Sequence, residues 1–248
     1  SILHGKLQHK NYIENDIKDW YSISVGLIQN FPHHIKIKTS YSYIPDFYVR
    51  HFRDADWVSI YDYTPITFQP YSFAKDNVSL AIEKRVFRGT YLLFNYAYMR
   101  YYHNKHFTEY DCNNHLAGIG IEQKIGKSLS VNVNYNFVNS SANGNDEVSE
   151  RLSASNDTDP SFEQDHYEIK FIYKLPKLFH HRSQLQIKGY YEPRYYSSNK
   201  SPELDKLHAG REDKNFRVYL NYKLDLTRNL DITGIFNYYN RDSGSSVI

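Results

Sequence analysis

The chain has 248 residues and an almost balanced charge, with 30 Lys and Arg, 28 Asp and Glu and a formal net charge of +2. This balance argues against a nucleic-acid partner held by bulk charge. The hydrophobic share of 40% and the charged share of 23% exclude extensive disorder, and the length suits one large domain or two small ones. Tyrosine is abundant, with 25 residues, and a phenol suits both strands and the boundary between water and an apolar phase.

Three further features narrow the class of protein. Cys112 is the only cysteine, so an intrachain disulfide or a multi-cysteine metal site is excluded. The first residues, Ser1 to His4, lack the basic and apolar regions of a signal peptide. No apolar run approaches the roughly 18 residues of a membrane helix, but a mean hydropathy of −0.69 is compatible with a membrane barrel, in which only alternate strand residues face lipid.

Alternation of apolar and polar residues at a period of two dominates the chain. It is clearest at residues 128–139, where Leu129, Val131 and Val133 alternate with serine and asparagine. At helical spacing these apolar residues would scatter around the axis, so the pattern predicts strands of about the 9–11 residues that a tilted membrane strand needs. In chain order, the ten apolar rows span residues 21–27, 35–43, 78–82, 92–98, 117–121, 129–137, 167–173, 185–191, 216–224 and 230–238.

The connections alternate between short and long. Short ones are predicted at 31–34, 88–89, 124–127, 176–182 and 227–229, and long polar ones at 45–76, 103–113, 140–164 and 198–213. An outer-membrane barrel explains this rhythm, because its periplasmic turns are short and its extracellular loops are long. The loop 140–164 is predicted to be exposed and mobile. The aromatic loop 45–76 either folds over or into the barrel or contains another pair of strands.

These features predict an all-β fold, a transmembrane antiparallel up-and-down β-barrel of about 12 strands (range 10 to 14) that forms a single domain over residues 1–248. The first clear strand enters from the long-loop side, and the last clear strand, 230–240, runs out toward that same side. Single-chain barrels normally have both termini on the periplasmic side and an even number of strands, so we expect this chain to lack a terminal strand. Residues 5–14 are a candidate for the first strand.

Charged residues are predicted to lie on the face opposite the apolar rows. Two interpretations are open: a lumen that conducts or binds polar solutes, or a barrel plugged by salt-bridged side chains. The candidates for lining the lumen are Lys36, Lys38, Glu83, Arg85, Arg100, Glu122, Lys170, Lys188, Glu192, Arg194, Arg217 and Asp225.

Tyrosine clusters occur where the predicted strands approach the long loops. They are typical of the aromatic girdle at a membrane interface, and a platform for stacking sugars is the competing interpretation. The girdle candidates are Tyr98, Tyr101, Tyr102, Tyr191, Tyr195, Tyr238 and Tyr239.

Histidine-containing segments offer weaker hypotheses. The pairs 33–34 and 180–181 lie in predicted short turns, where neighbouring side chains point apart and no carboxylate spacing completes a metal site. The loop with His103, His106, Glu109, Asp111 and Cys112 suggests a hydrolytic or metal site. Its spacing does not ensure that a nucleophile contacts a base, however, and the sequence has no G-x-S-x-G or H-E-x-x-H motif. We therefore expect no enzyme, no catalytic residues, no bound metal and no cofactor.

The C-terminal region resembles the closing hairpins of bacterial outer-membrane β-barrel proteins. The resemblance comprises residues 208–213 (HAGRED), the long strand that follows, a Thr-Arg-Asn turn and residues 236–243, and its hairpin pattern extends over residues 20–243. It is porin-like but specific to no single family. It implies a Gram-negative outer membrane with the lipid bilayer as partner. Such chains often end on one more strand with a terminal aromatic residue, whereas this one ends at Ile248, as expected if a strand is lacking.

The expected function is a channel or transport conduit in the outer membrane, either for polar solutes or for a partner in a larger envelope complex. Three alternatives remain open: a structural scaffold barrel in an outer-membrane assembly, a soluble all-β glycan-binding protein, and an outer-membrane enzyme. No haem-attachment motif is present, so any haem in such an assembly would belong to a partner.

Overall fold

A computed structural model describes residues 1–54, 67–145, 158–178, 181–227 and 230–244. Within these ranges the chain forms one antiparallel sheet of eleven strands, each hydrogen-bonded to its neighbours in sequence. No helix among these residues is long and apolar enough to cross a membrane. The strands are β1 Ile2–Lys10, β2 Trp20–Phe31, β3 Ile35–Asp54, β4 Thr67–Phe87, β5 Thr90–His103, β6 Cys112–Ile125, β7 Leu129–Ala142, β8 Phe162–Leu178, β9 His181–Tyr196, β10 Glu212–Asp225 and β11 Asp231–Gly244.

The predicted all-β, antiparallel, up-and-down architecture is confirmed, and so is the alternation of connections. The turns at 32–34, 88–89, 126–128, 179–180 and 226–230 are short, whereas the connections at 11–19, 55–66, 104–111, 143–161 and 197–211 are long. The expected first strand at 5–14 corresponds to β1, which pairs with β2 over its whole length. The eleven strands of the described residues fall within the predicted range, but the sheet that they form is open, since β1 and β11 pair with no described strand on their outer edges.

The prediction of a long loop at 45–76 needs correction. Strands β3 and β4 continue into it and pair from Ile35 with Lys84 out to Asp54 with Thr67. Two register shifts, between Ile44 and Phe47 and between Tyr48 and Arg50, interrupt the ladder. Irregularities of this kind insert residues and break the period of two, so alternation alone does not detect the strand beyond them. The loop itself, 55–66, with Trp57, Tyr61 and Tyr63, lies outside the described residues.

The strands are staggered around the sheet. One row of directly paired residues begins at Ile35, the first residue of β3, and reaches Tyr238 in the middle of β11. Its members between those ends are Lys84, Leu92, Ile121, Val133, Ile169, Gly189 and Val218. A row that runs from a strand end to a strand middle is the shear that a tilted, closing sheet requires.

Burial in this sheet is inverted relative to a water-soluble protein. In β6 the apolar Ile119 is 62% exposed, whereas the polar Asn114 on the other face of the same strand is only 6% exposed. Among the described residues, Phe107 and Ala209 are buried, and so are Pro193 and the glycines Gly26, Gly118 and Gly144, whereas every other buried residue is polar or charged. The polar face is therefore the crowded, concave one. It is called the inner face below, and the apolar face is called the outer face.

Side-chain contacts confirm the direction of curvature. Asn95 of β5 donates a hydrogen bond from Nδ2 to Oδ1 of Asn136 in β7, at 2.9 Å, across the intervening strand β6. Neighbouring strands are about 4.8 Å apart, so the two amides meet only because the sheet curls toward them. The β6 residue beneath this bond is Gly118, where an added Cβ would overlap both Asn95 and Asn136.

Replacing Gly118 with alanine tests this packing. Gly118→Ala should displace the bond between Asn95 and Asn136 and destabilise the sheet by about 1–2 kcal/mol. Gly189→Ala is the matched control, since a Cβ there meets only Ile169 Cγ2 at an ordinary 3.5 Å. Urea unfolding in lipid vesicles, followed by tryptophan fluorescence, measures both. Equal midpoints for the two variants would contradict the inward curvature at β6.

Candidate functional site

Eleven of the twelve predicted lumen residues share the inner face. The strand register places their side chains together; for example, Lys36 lies opposite Glu83, and Lys170 lies opposite Lys188. The full set on this face is Lys36, Lys38, Glu83, Arg85, Glu122, Lys170, Lys188, Glu192, Arg194, Arg217 and Asp225.

Arg100 is the exception and lies on the outer face. It pairs with Asp76 in the ladder, and its Nη2 is 2.9 Å from the Asp76 carboxylate. Its guanidinium carbon lies 5.9 Å and 5.3 Å from the ring centroids of Tyr98 and Tyr102. The reason is parity, since Arg100 is two residues from each of these outer-face tyrosines.

The predicted tyrosine girdle divides between the two faces in the same way. Tyr98, Tyr102, Tyr191, Tyr195 and Tyr238 lie on the outer face. Tyr101 and Tyr239 lie on the inner face, which corrects their prediction: a sequence neighbour in a strand points to the opposite side of the sheet.

Hydroxyl groups of the outer-face tyrosines bond toward the long-loop end. Tyr98 donates to Asn113 Oδ1 at 2.7 Å, Tyr135 to Asp165 Oδ1 at 2.7 Å, and Tyr41 to Asp76 Oδ1 at 2.8 Å. Each ring therefore covers apolar surface, while its hydroxyl reaches a polar side chain that lies closer to the long loops. An interfacial aromatic girdle would have this arrangement, and the girdle stays a prediction.

A network of ionisable groups spans β8 and β9 on the inner face. His166 Nδ1 lies 2.6 Å from Glu192 Oε1, and Lys188 Nζ lies 3.1 Å from Glu168 Oε2. Asn134 of β7 reaches the same Glu168 carboxylate at 3.3 Å. Acceptors and donors thus alternate along the wall, and half-buried charges are paired with one another rather than left isolated.

The inner face nevertheless carries about twice as many basic as acidic residues in the strand segments of regular register. Lys170 and Lys188, directly opposite each other, illustrate the excess. The basic residues are Lys6, Lys10, Lys36, Lys38, Lys75, Arg85, Lys124, Lys170, Lys174, Arg182, Lys188, Arg194, Arg217, Lys223 and Arg241, and the acidic ones are Glu83, Glu122, Glu168, Glu192, Asp213, Asp225 and Asp231.

Two long connections are tied together at the rim by buried carboxylates. Asp205, in the connection 197–211, accepts from the backbone N–H of Asp159 at 2.8 Å and from Ser198 Oγ at 3.0 Å. Asp159 in turn accepts from Ser161 Oγ at 2.6 Å and from the Asn199 N–H at 2.9 Å. Both carboxylates are fully buried, so the prediction that 140–164 is exposed fails at 158–161; residues 146–157 lie outside the described residues.

The Asp205 carboxyl is electrostatically stabilised in its charged form. Burial alone would raise its pKa, but hydrogen bonds from His208 and from the Asp159 backbone outweigh burial and lower the pKa below its ordinary value. The same connection is held to the last strand by Asp213, which binds Arg211 at 2.9 Å and Arg241 at 2.7 Å. The described residues 158–161 and the connection 197–211 are therefore fixed to each other and to the sheet.

The loop with the predicted histidine cluster is also closed by internal contacts. His103 Nδ1 lies 3.2 Å from Asp111 Oδ1, and Phe107 is 2% exposed beneath the ring of Tyr71. Cys112 accepts from Asn114 Nδ2 at 3.3 Å. In the part of the chain that the structure describes, no three His, Cys, Asp or Glu side chains are placed to hold a metal ion. His33 and His34 form the β2–β3 turn, and His180 lies outside the described residues.

Sequence reasoning missed an aromatic row on the inner face. Trp20, Phe47, Phe73 and Tyr101 contact one another in order, with ring centroids 5.9, 5.4 and 5.3 Å apart. For Trp20, Phe73 and Tyr101 the signal was available, because these apolar residues fall on the polar phase of their strands; Phe47 lies beyond a register shift, so its phase could not be read from the sequence. The row ends at a cavity of about 430 Å³.

The rim contacts generate a prediction for Asp205→Asn. The neutral amide keeps the size of the carboxylate but loses its charge-assisted bonds, so residues 197–211 should become susceptible to trypsin at Lys200 and Lys206. Glu203→Gln, in the same loop and exposed, should remain resistant. Because the pKa of Asp205 is lowered on folding, its stabilisation is complete at neutral pH and disappears as the pH falls through the lowered value. Equal cleavage rates for the two variants would contradict the role of Asp205.

Comparison with known proteins supports the fold alone. No model of a protein family matches the sequence, and no curated protein matches it either. Two structures of mutant ferric enterobactin receptors from Pseudomonas aeruginosa, each in complex with enterobactin, superpose with TM-scores of 0.51 at 9% and 10% identity. Each match covers 98% of this chain and 41% of the receptor. The outer membrane transporter YddB from Escherichia coli matches at 10% identity, with a TM-score of 0.45, over 98% of this chain and 39% of its own.

This chain thus spans about two fifths of the length of the receptors that it matches. Its eleven ordered strands, apolar outer face and long-loop rim agree with that likeness. The predicted all-β antiparallel fold is confirmed, and the open sheet of the described residues is consistent with a barrel. The structural neighbours are outer-membrane receptors and transporters. The chain has the fold of a Gram-negative outer-membrane β-barrel protein.

Proposed function

We propose that this chain forms the wall of an outer-membrane transport barrel that conducts small polar solutes and prefers anions. The observation that carries the proposal is the basic excess on the concave inner face. A wall with such an excess raises the local concentration of anions and lowers that of cations.

The distribution of charge between the faces supports a water-filled interior. An Arg or Lys on the lipid face of a barrel costs about 2–4 kcal/mol at the bilayer midplane. Outer-face charged residues stand near the ends of their strands, as Asp76, Arg100 and Asp165 do at the long-loop end and Lys84 does at the short-turn end. Lys170 and Lys188 instead stand in the interior of their strands on the inner face. An aqueous lumen solvates such residues, and lipid does not.

Closure of the barrel is part of the same proposal. Strands β1 and β11 run in the same direction, because the chain reverses direction an even number of times between them. A closed antiparallel barrel that contains this single domain therefore has an odd number of further strands between them. An open edge in lipid would leave backbone N–H and C=O groups unpaired at several kcal/mol each.

A scaffold barrel with a closed interior is the second candidate. The ion-paired network of His166, Glu168, Lys188 and Glu192 favours it, since such side chains could bridge a narrow lumen. Conductance separates the two candidates, because a plugged barrel carries no current.

A membrane barrel predicts heat-modifiable migration in gel electrophoresis. The full chain, folded in detergent, should migrate at a different apparent mass when unheated than after boiling, because the paired strands resist the detergent used in the gel. A soluble glycan-binding sheet would instead be monodisperse in plain buffer, and that behaviour would overturn the membrane assignment.

Selectivity is the sharper test. In planar bilayers under a KCl gradient, the full chain should conduct with a reversal potential of the sign for chloride preference. Replacing Lys36, Lys38 and Lys170 together with glutamine should move that potential toward cation preference. Lys84→Gln is the control, since Lys84 is exposed on the outer face. Conductance without any shift would contradict control by inner-face charge, and absence of conductance would favour the scaffold.

A further inference from the structure

We infer that the inner wall carries a binding site for a small acidic sugar near its outer mouth. This inference rests on the proposed transport function and names a solute class for it. The site is the cavity of about 430 Å³ at the end of the aromatic row. That volume is within the range of small-molecule binding sites.

The cavity is built from one side of the sheet. Its strand residues are inner-face positions from β4 to β9, including Phe73, Met99, Phe162 and Gln164. Tyr110 of the 104–111 connection and Pro160 close it on the loop side. A solute entering past the long loops would therefore meet this cavity before the charged middle of the wall.

Two of its walls are aromatic. Phe73 and Tyr101 stand on one side, with ring centroids 5.3 Å apart, and Phe162 stands across β6 and β7 on the other. Beside these rings, the cavity is lined by the apolar side chains of Met99 and Val138 and by polar side chains. Flat apolar faces of this kind bind the C–H face of a pyranose.

Polar groups suited to hydroxyls lie between the rings. Asn114 and Ser140 are 6% and 4% exposed, and both line the cavity. Gln164 lies beside them and is held by Arg194, whose Nε donates to Gln164 Oε1 at 2.8 Å. A few fixed polar groups among apolar walls give a site its orientation and specificity.

Cationic side chains at the cavity edge favour a negatively charged solute. The guanidinium carbon of Arg194 lies 4.1 Å from the Phe162 centroid, and Lys75 Nζ lies 4.8 Å from that of Tyr101. Among the described residues, neither side chain has a carboxylate within ion-pair distance. The Arg194 nitrogens that are not committed to Gln164 suit one carboxylate or phosphate of a ligand. A ligand with one anionic group and one pyranose ring is an acidic sugar, and such a ligand matches both the cations and the rings of this cavity.

Ligand titration of the full chain in detergent tests the site, with glucuronate as the probe and with glucose and benzoate as comparisons. Glucuronate should bind more tightly than either, since only it has both the ring hydroxyls and the carboxylate. Arg194→Gln should weaken glucuronate about tenfold or more, and Phe162→Leu, which keeps apolar bulk but removes the ring, should weaken it also. Arg88→Gln, in the turn at the opposite end of β4, should leave binding unchanged.

The outcomes separate this site from the transport proposal. Glucuronate added on the loop side should reduce chloride conductance in the unsubstituted protein and not in Arg194→Gln. Equal binding of glucose or benzoate, or undiminished binding by Arg194→Gln, would overturn the acidic-sugar site. If conductance and anion preference persist in that case, the transport function stands and only the site fails.

Discussion

Backbone hydrogen bonding is the constraint on which this structure depends. Lipid offers no partner to a strand N–H or C=O, so each group must be paired within the protein. Strands β2 to β10 are paired on both edges, in strict sequence order. That order allows each strand to be joined to the next by a connection at one end of the sheet. Because the backbone groups of these inner strands are paired, ligand chemistry on the sheet falls to the side chains.

Curvature decides what these side chains can do. On the concave face, side chains of strands two apart meet, as Asn95 and Asn136 do, and glycine is needed between them. On the convex face, residues such as Ile119 have room and stand exposed. The same curvature that gives room to the apolar side chains therefore brings lysine, arginine and amide groups together around a common space. It also brings Phe73 and Phe162, from strands four apart, to one cavity.

Much of the fold and part of the site follow from alternation. Lys36, Glu83 and Lys170 are assigned to the inner face correctly because their strands alternate without interruption. Assignments to the wrong face arise where alternation was not applied. Arg100 was grouped by charge, and Tyr101 and Tyr239 by proximity to other tyrosines, although parity places each on the opposite face. The extension of β3 and β4 could not be predicted, because bulges near Pro45 shift the phase.

The sequence by itself determined the all-β class, the rhythm of turns and loops, and which face of each regular strand is polar. These are local properties, set by the period of a strand and by runs of turn residues. Only the tertiary structure decided how the strands are staggered, which rim loops Asp159 and Asp205 hold together, and where the aromatic row meets Arg194. Those relations join residues tens of positions apart, and they depend on register and curvature, which no local pattern encodes.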